Sequence, residues 1–307
     1  MTDLSSVKPF YPWVGGKRRL LDLIQANTPT EFLNFHEPFL GGGAVALQVM
    51  ASTGVDTPRT YYLSDLNAEV IVTWEAVRDD PEAVISEVRG HAARHERRYF
   101  NAVRQWDRNG LLPFRSPTER AGRFIYLLRG CYRAMWEEDD EGFCTSAFGF
   151  DSVPFSAAHE RTIWAVHELL NARDVVLTTQ PFKAGEEFIR AADFVYLDPP
   201  YATDVEGHVA FDAYVAGGTD GKQFQTLVRD YIDRLTFGGA YALASNRDSR
   251  STRFLYDGWN QIDRQLMWSL GHSTSGGNPH SGTEKLFANY LLYVALGYEQ
   301  ERKLSPL

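Results

Sequence analysis

Asp198, Pro199, Pro200 and Tyr201 close the apolar run Phe194-Val195-Tyr196-Leu197. That run reads as a buried parallel strand ended by a proline turn. The carboxy ends of strands are where open α/β sheets place their ligands. A carboxylate, two ring-locked residues and an aromatic at such a place form a rigid pocket with one acceptor edge and one stacking face. That pocket suits a planar base bearing an amino group. The plainer alternative is a proline-terminated strand carrying a surface Asp and a packed Tyr.

A second group of residues precedes it. Glu37-Pro38-Phe39-Leu40 leads into Gly41-Gly42-Gly43 and then a helical run from Ala44 to Met50. Strand, glycines and helix together make a tight turn that lets a ligand approach the backbone, and the helix start offers N–H groups. The turn lacks the Lys-Ser/Thr ending of a phosphate loop, which disfavours a nucleoside triphosphate. It also lacks the spaced glycines of a dinucleotide fingerprint. Asp65 ends the next strand roughly 20 residues on, where an acidic side chain can take both hydroxyls of a ribose. Glycine turn and acid together point to an adenosine-containing cofactor without a pyrophosphate. A third cluster, Trp13-Val14-Gly15-Gly16-Lys17, is a simple turn or a pocket wall with Lys17 near a carboxylate.

These groups need a sheet to hold them. The first ~80 residues alternate short apolar strands with helical patterns: a strand at Phe32 to Phe35, another at Tyr61-Tyr62-Leu63 and a helix from Arg18 to Ile24. From Asn67 to His167 the pattern is mainly helical, polar and rich in arginine. Strands return at Asp174 to Leu177 and at Phe194 to Leu197. A helix over Gln223 to Leu235 carries Phe224, Leu227, Val228, Tyr231, Ile232 and Leu235 on one face. Ala240 to Ala244 and a late pair of runs, near Met267-Trp268 and from Leu291 to Val294, complete the series. Strands flanking helices indicate a mostly parallel sheet covered on both faces, and the helical block between its halves reads as an inserted domain.

Composition sets the outer limits. No stretch of the 307 residues approaches the ~20 apolar residues that span a bilayer. The first six residues lack the features of a signal peptide, and the two cysteines, Cys131 and Cys144, suggest neither a disulfide framework nor a metal site. A cytoplasmic protein is expected. The net charge of −9 is opposite to that of most phosphate-binding surfaces. Lys17-Arg18-Arg19 and the stretch from Arg89 to Arg98 are local basic clusters, with a solvated helix face as the plainer explanation.

In this order and spacing, Trp13 to Lys17, Glu37 to Val45, Ser64-Asp65-Leu66-Asn67 and Asp198 to Tyr201 resemble the Dam-type, D12 class of DNA adenine-N6 methyltransferases. Ser245-Asn246, Phe211, Tyr214 and Asn289-Tyr290 are weaker matches. The resemblance implies an α/β fold: a doubly wound, mostly parallel methyltransferase (Rossmann-like) sheet with a reversed terminal hairpin and an inserted, mainly helical target-recognition domain. The catalytic domain then takes residues 1–67 and 161–307, and the insertion takes 68–160. S-adenosyl-L-methionine is the implied cofactor, bound by Trp13, Lys17, Pro38, Phe39, Gly41, Gly43, Asp65 and Asp198. Asp198, Pro199, Pro200 and Tyr201 are the implied catalytic residues, acting on a flipped adenine of double-stranded DNA. No metal is required, no membrane is involved, and a monomer or weak dimer is expected.

Within the insertion, Arg129, Tyr132 and Arg133 are candidate DNA contacts, with a helix surface or the insertion's own core as alternatives. The stretch Glu137 to Cys144 is acidic where Dam relatives are basic and polar, and such a loop repels phosphate unless it turns away from DNA. Two other functions stay open at this point: methylation of RNA or protein, and non-catalytic DNA binding on the same scaffold. An Asp at position 198 favours adenine over other amines.

Overall fold

The computed structural model describes residues 7–54, 57–149, 153, 155–201, 221–267 and 281–293. A 3-10 turn at Lys17–Arg19 leads to α1 (Leu21–Ala26), β1 (Phe35–Glu37), α2 (Ala44–Ser52), β2 (Thr60–Asp65) and α3 (Ala68–Asp79). Then come α4 (Pro81–Ala93), α5 (Arg97–Arg104), α6 (Pro117–Gly130), α7 (Ala157–Asn171) and β3 (Asp174–Thr179). The chain ends its described course with β4 (Phe194–Leu197), α8 (Gly221–Phe237), β5 (Tyr241–Arg247), α9 (Arg250–Leu255), β6 (Asn260–Met267) and β7 (Ser281–Ala288).

The described strands form a seven-stranded sheet in the order β3-β2-β1-β4-β5-β7-β6. β2 with β3, β1 with β4 and β4 with β5 are parallel, while β7 runs antiparallel to both β5 and β6. The expected α/β class and mostly parallel sheet are therefore present. No helix among the described residues is long and apolar enough to cross a membrane.

The chain divides into two compact units. The first takes the described residues up to Arg18 and Glu37–Gly185; the second takes Arg19–His36 and those from Glu186 onward. In the first unit, β2 and β3 pair from Thr60↔Asp174 to Asp65↔Thr179. Helix starts follow local chemistry: Asn67 caps α3 through the Glu69 amide, Asp80 caps α4 ahead of Pro81, and Ser116 with Glu119 forms a capping box on α6. Trp74, Phe100, Phe124 and Tyr126 fill the space between these helices. The fully buried Arg123 donates to the Val103 carbonyl at 3.0 Å, to the Arg104 carbonyl at 2.6 Å and to Asp107 at 2.9 Å. Asp107 also receives the Cys144 amide at 2.9 Å, so one ion pair ties α5, α6 and the loop after it.

In the second unit, β1 sits later than the apolar run suggests. Phe35 pairs with Phe194 and His36 with Val195, because a buried carboxylate makes the polar His36 welcome inside. Asp193 accepts from the Asn34 amide at 2.9 Å, from Asn34 Nδ2 and His36 Nε2 at 3.0 Å, and from the Arg190 amide at 2.8 Å. Helix α8 buries Phe224, Val228, Tyr231, Ile232 and Leu235 as its periodicity predicts, whereas Leu227, expected on the same face, is exposed.

Two expectations are corrected. The run from Arg18 to Ile24 is a 3-10 turn followed by the short α1 rather than one helix. The hairpin partner of β6 is Ser281–Ala288, in register from Asn260↔Ala288 to Met267↔Ser281, and not the run from Leu291. Leu291 is 79% exposed and Tyr293 62%, and Val294 lies outside the described residues. The first half of β7 escapes a hydrophobic reading because Glu284 and Lys285 are polar yet buried; Lys285 Nζ meets Asp263 at 2.6 Å.

Candidate active site

The glycine turn and Asp65 meet in the first unit. Asp65, only 6% exposed, accepts the Gly41 amide on Oδ2 at 2.8 Å and the Asn67 amide on Oδ1 at 2.9 Å. Burial raises its pKa to about 6 against the lowering effect of these amides. A buried carboxylate at the end of a strand is an acceptor edge poised for neutral hydroxyl donors.

The turn itself leaves no room for side chains. Gly41 (φ 46°) and Gly43 (φ 62°) both adopt the left-handed conformation. A Cβ on Gly41 would stand 2.4 Å from Trp13 Nε1, and one on Gly43 would stand 2.2 Å from Trp74 Cζ2. Trp13 therefore packs directly on the turn. Two residues that the sequence did not single out hold the turn from behind. Tyr11 donates to the Gly41 carbonyl at 2.6 Å, and Trp74 Nε1 donates to the Tyr11 hydroxyl at 2.9 Å. Burial raises the Tyr11 pKa well above the usual phenol value. No pattern marks either residue, since aromatics of this kind read as ordinary core.

Lys17 is buried and its Nζ donates to the Gly15 carbonyl at 2.6 Å. Pro38 is buried and Phe39 half-buried. Phe39 stacks on Phe182 with centroids 5.2 Å apart.

The tetrapeptide lies in the second unit, immediately after β4. Ser245 on β5 donates to Asp198 Oδ1 at 3.0 Å, and the Tyr196 hydroxyl lies 2.8 Å from the same Ser245 oxygen. Gln225 on α8 donates to the Pro200 carbonyl at 2.6 Å, and Asn246 Nδ2 donates to Gln225 Oε1 at 3.0 Å. Tyr201 has its hydroxyl beside Glu284 and Ser245. Burial first, then the carboxylates of Asp198 and Glu284, raises its pKa well above the usual phenol value. The arrangement keeps Tyr201 a neutral aromatic and gives the Asp198–Tyr201 turn a fixed shape. Ser245-Asn246 was a weak match by sequence; Gln225 and Glu284 carried no signal there.

The candidate DNA contacts separate. Arg129 does not sit on a helix surface. Its Nη2 donates to the Phe10 carbonyl at 2.9 Å, and burial lowers its pKa to about 10. Tyr132 is 50% exposed, with the Arg133 guanidinium 5.0 Å above its ring. Arg133 and the next residue, Ala134, both have φ of 55°, a conformation that is strained for side-chain-bearing residues. The neighbouring bridge Cys131↔Phe148 and the Tyr132 amide's 2.8 Å bond to the Ala147 carbonyl hold this tip in place.

Part of the acidic loop turns inward, while Glu137, Asp140 and Glu141 stay exposed. Glu138 accepts from Trp136 Nε1 at 2.6 Å and from Asn67 Nδ2 at 3.1 Å, while Asp139 pairs with Arg108. Burial, with Asp107, Glu69 and Asp65 nearby, raises the Glu138 pKa. In the basic stretch, Arg89 pairs with Glu160 and Arg94 donates to the Gly90 carbonyl. Phe211 and Tyr214 lie outside the described residues.

Comparison with known proteins places these residues in a family. The model of the D12 class of N6 adenine-specific DNA methyltransferases matches residues 13–269. The chain is 29% identical to the type II methyltransferase M1.LlaDCHI of Lactococcus lactis subsp. cremoris, with 83% of this chain and 86% of that one covered. It is 26% identical to the type II methyltransferase M.MjaIII of Methanocaldococcus jannaschii, covering 83% and 89% respectively. It is 27% identical to a DNA adenine methylase of Vibrio cholerae, covering 82% and 85%. The chain belongs to the D12 class of N6 adenine-specific DNA methyltransferases.

Proposed function

We propose that this D12-class enzyme takes its methyl group from S-adenosyl-L-methionine held by the first unit, and that Asp198-Pro199-Pro200-Tyr201 receives an adenine turned out of double-stranded DNA. The observation that carries the reading is the Asp198 carboxylate, fixed by Ser245 at the end of a buried strand. A cofactor with a ribose diol fits the buried Asp65 edge at the glycine turn. Trp13, Lys17, Pro38, Phe39, Gly41, Gly43 and Asp65 would hold it, with Asp198 at the reacting end. When bound, the cofactor supplies an electrophilic methyl group on a sulfonium.

The protein's own task is to prepare the amine. The N6 lone pair of adenine is delocalised into the ring, so the amine is a poor nucleophile. The Asp198 carboxylate and the Pro199 carbonyl accept its two hydrogens, which holds the nitrogen and frees its lone pair for in-line attack. Such catalysis rests on positioning and charge stabilisation. The alkylated nitrogen is acidic, so its proton leaves without a strong base. Tyr201 supplies a face for the flipped base.

The helical segment from Asn67 onward serves, on this reading, as target-recognition insertion over residues 68–160. Its DNA-facing feature is the strained, exposed tip Tyr132-Arg133. Arg129 is held in place by its bond to the Phe10 carbonyl. Inward-turned Glu138 and paired Asp139 reduce the repulsion that the acidic loop would otherwise present. The test is a thermal shift with S-adenosyl-L-methionine on the wild-type protein and on Asp65→Ala. A stabilisation present in the first and lost in the second is expected; an equal shift in both would place the cofactor elsewhere.

A further inference from the structure

Ser245 is fully buried on β5. In the parallel pairing of β4 with β5, Tyr196 faces Leu243 and Leu197 faces Ala244. Strand side chains alternate, so Tyr196, Asp198 and Ser245 point to one face of the sheet. The distances agree: 2.8 Å from the Tyr196 hydroxyl to Ser245 Oγ, and 3.0 Å from Ser245 Oγ to Asp198 Oδ1. A serine hydroxyl has a single proton. With Ser245 donating to Asp198, the Tyr196 hydroxyl is left as the donor to Ser245, and the Tyr201 hydroxyl stands beside the same serine. The chain is therefore directional, Tyr196 to Ser245 to Asp198, and every proton in it points toward the carboxylate.

The next residue on β5 works from the opposite face. Asn246 holds Gln225 at 3.0 Å, and Gln225 holds the Pro200 carbonyl at 2.6 Å. Asn246 and Gln225 are both buried. Consecutive residues of β5 thus hold Asp198 directly and, through Gln225, the Pro200 carbonyl.

We infer that Tyr196 and Ser245 are positioning residues for methyl transfer, fixing the orientation of the Asp198 carboxylate and holding it as the anion that accepts the N6 hydrogens. This rests on the role proposed for Asp198. A hydrogen bond donated to a carboxylate favours its charged form. The neighbouring titratable groups, Tyr201 and the Glu284 carboxylate on β7, are unchanged in the variants below, so loss of the chain alone moves Asp198 toward its protonated, non-accepting state.

The experiment compares Ser245→Ala, Ser245→Thr, Tyr196→Phe and the double variant Tyr196→Phe/Ser245→Ala. It reads kcat, KM for DNA, the Kd for S-adenosyl-L-methionine and the pH profile of kcat. Ser245→Ala should lower kcat about 10- to 100-fold, as expected for losing one bond to a charged group, with KM and Kd within about twofold. Its acid limb should move up by about one pH unit. Ser245→Thr should restore most of kcat, and Tyr196→Phe should move the limb the same way by less. The double variant should be no worse than Ser245→Ala, because Tyr196 acts through Ser245.

An unchanged kcat and acid limb in folded Ser245→Ala would overturn the inference. So would additive losses in the double variant. If Ser245→Ala does not fold, an unmoved limb in Tyr196→Phe overturns it instead. A wild-type enzyme whose adenine methylation survives Asp198→Ala would defeat the underlying reading of Asp198; intact Asp198 dependence with a silent Ser245→Ala would defeat this inference alone.

Discussion

The carboxylate of Asp65 accepts the Gly41 amide across 2.8 Å, so the last residue of β2 holds the turn that follows β1. Its other oxygen accepts the Asn67 amide at 2.9 Å. A carboxylate can accept on both sides, whereas an asparagine has one acceptor oxygen and would turn its NH2 group against an amide N–H. Asp65→Asn is therefore expected to weaken S-adenosyl-L-methionine binding by about tenfold or more. Isothermal titration checks this directly.

The same residue sets a pH dependence of two opposite signs. The folded pKa of about 6 lies above the unfolded value of 3.8. Stability from this group is therefore fully present below about pH 4 and is lost as pH rises through about 6. Hydroxyl donors from a ribose favour the anion, so cofactor affinity should do the reverse and fall as pH drops below about 6. Titrations between pH 5 and pH 8 should show this loss in the wild-type protein and none in the weaker-binding Asp65→Asn, whose amide does not titrate.

Gly43 tests the turn as a matter of shape. Its φ of 62° and the 2.2 Å approach of a Cβ to Trp74 leave no place for a methyl group. Gly43→Ala should destabilise the fold by about 2–4 kcal/mol, combining left-handed strain with overpacking. Urea denaturation of the two proteins measures it, and a loss below about 0.5 kcal/mol would show that the turn yields.

Much of this turn was legible in the residues themselves. Gly41-Gly42-Gly43, the strand ending at Asp65 and Asp198 to Tyr201 are local signals, and the elements around them fall within a few residues of their expected ends. What was hidden depends on contacts across the sequence. Tyr11 and Trp74 grip Gly41 from 30 and 33 residues away. Gln225 reaches Pro200 from a helix whose apolar stripe gives no hint of a buried amide. His36 in β1 and Glu284 and Lys285 in β7 are polar residues made buriable by partners that no period reveals. Arg129 looked like a surface arginine because burial of a guanidinium needs a carbonyl such as that of Phe10, which lies 119 positions earlier.

Tyr132 gives the test of the insertion. Exposed aromatic stacking against a base contributes about 1–3 kcal/mol. Tyr132→Ala should therefore raise the Kd for duplex DNA by about tenfold and reduce base opening seen by 2-aminopurine fluorescence. The Kd for S-adenosyl-L-methionine should not change. Unaltered DNA binding and base opening would remove Tyr132 from the DNA-facing surface.

The central claim is that Asp198 presents adenine N6 for methylation, and nucleoside mass spectrometry tests it most directly. Unmodified DNA is incubated with S-adenosyl-L-methionine and either the wild-type protein or Asp198→Ala, and the digested nucleosides are quantified. The account predicts N6-methyladenine with the wild-type protein and at least a thousandfold less, about 4 kcal/mol of lost transition-state stabilisation, with a folded Asp198→Ala. N6-methyladenine formed at comparable rates by both proteins would contradict it.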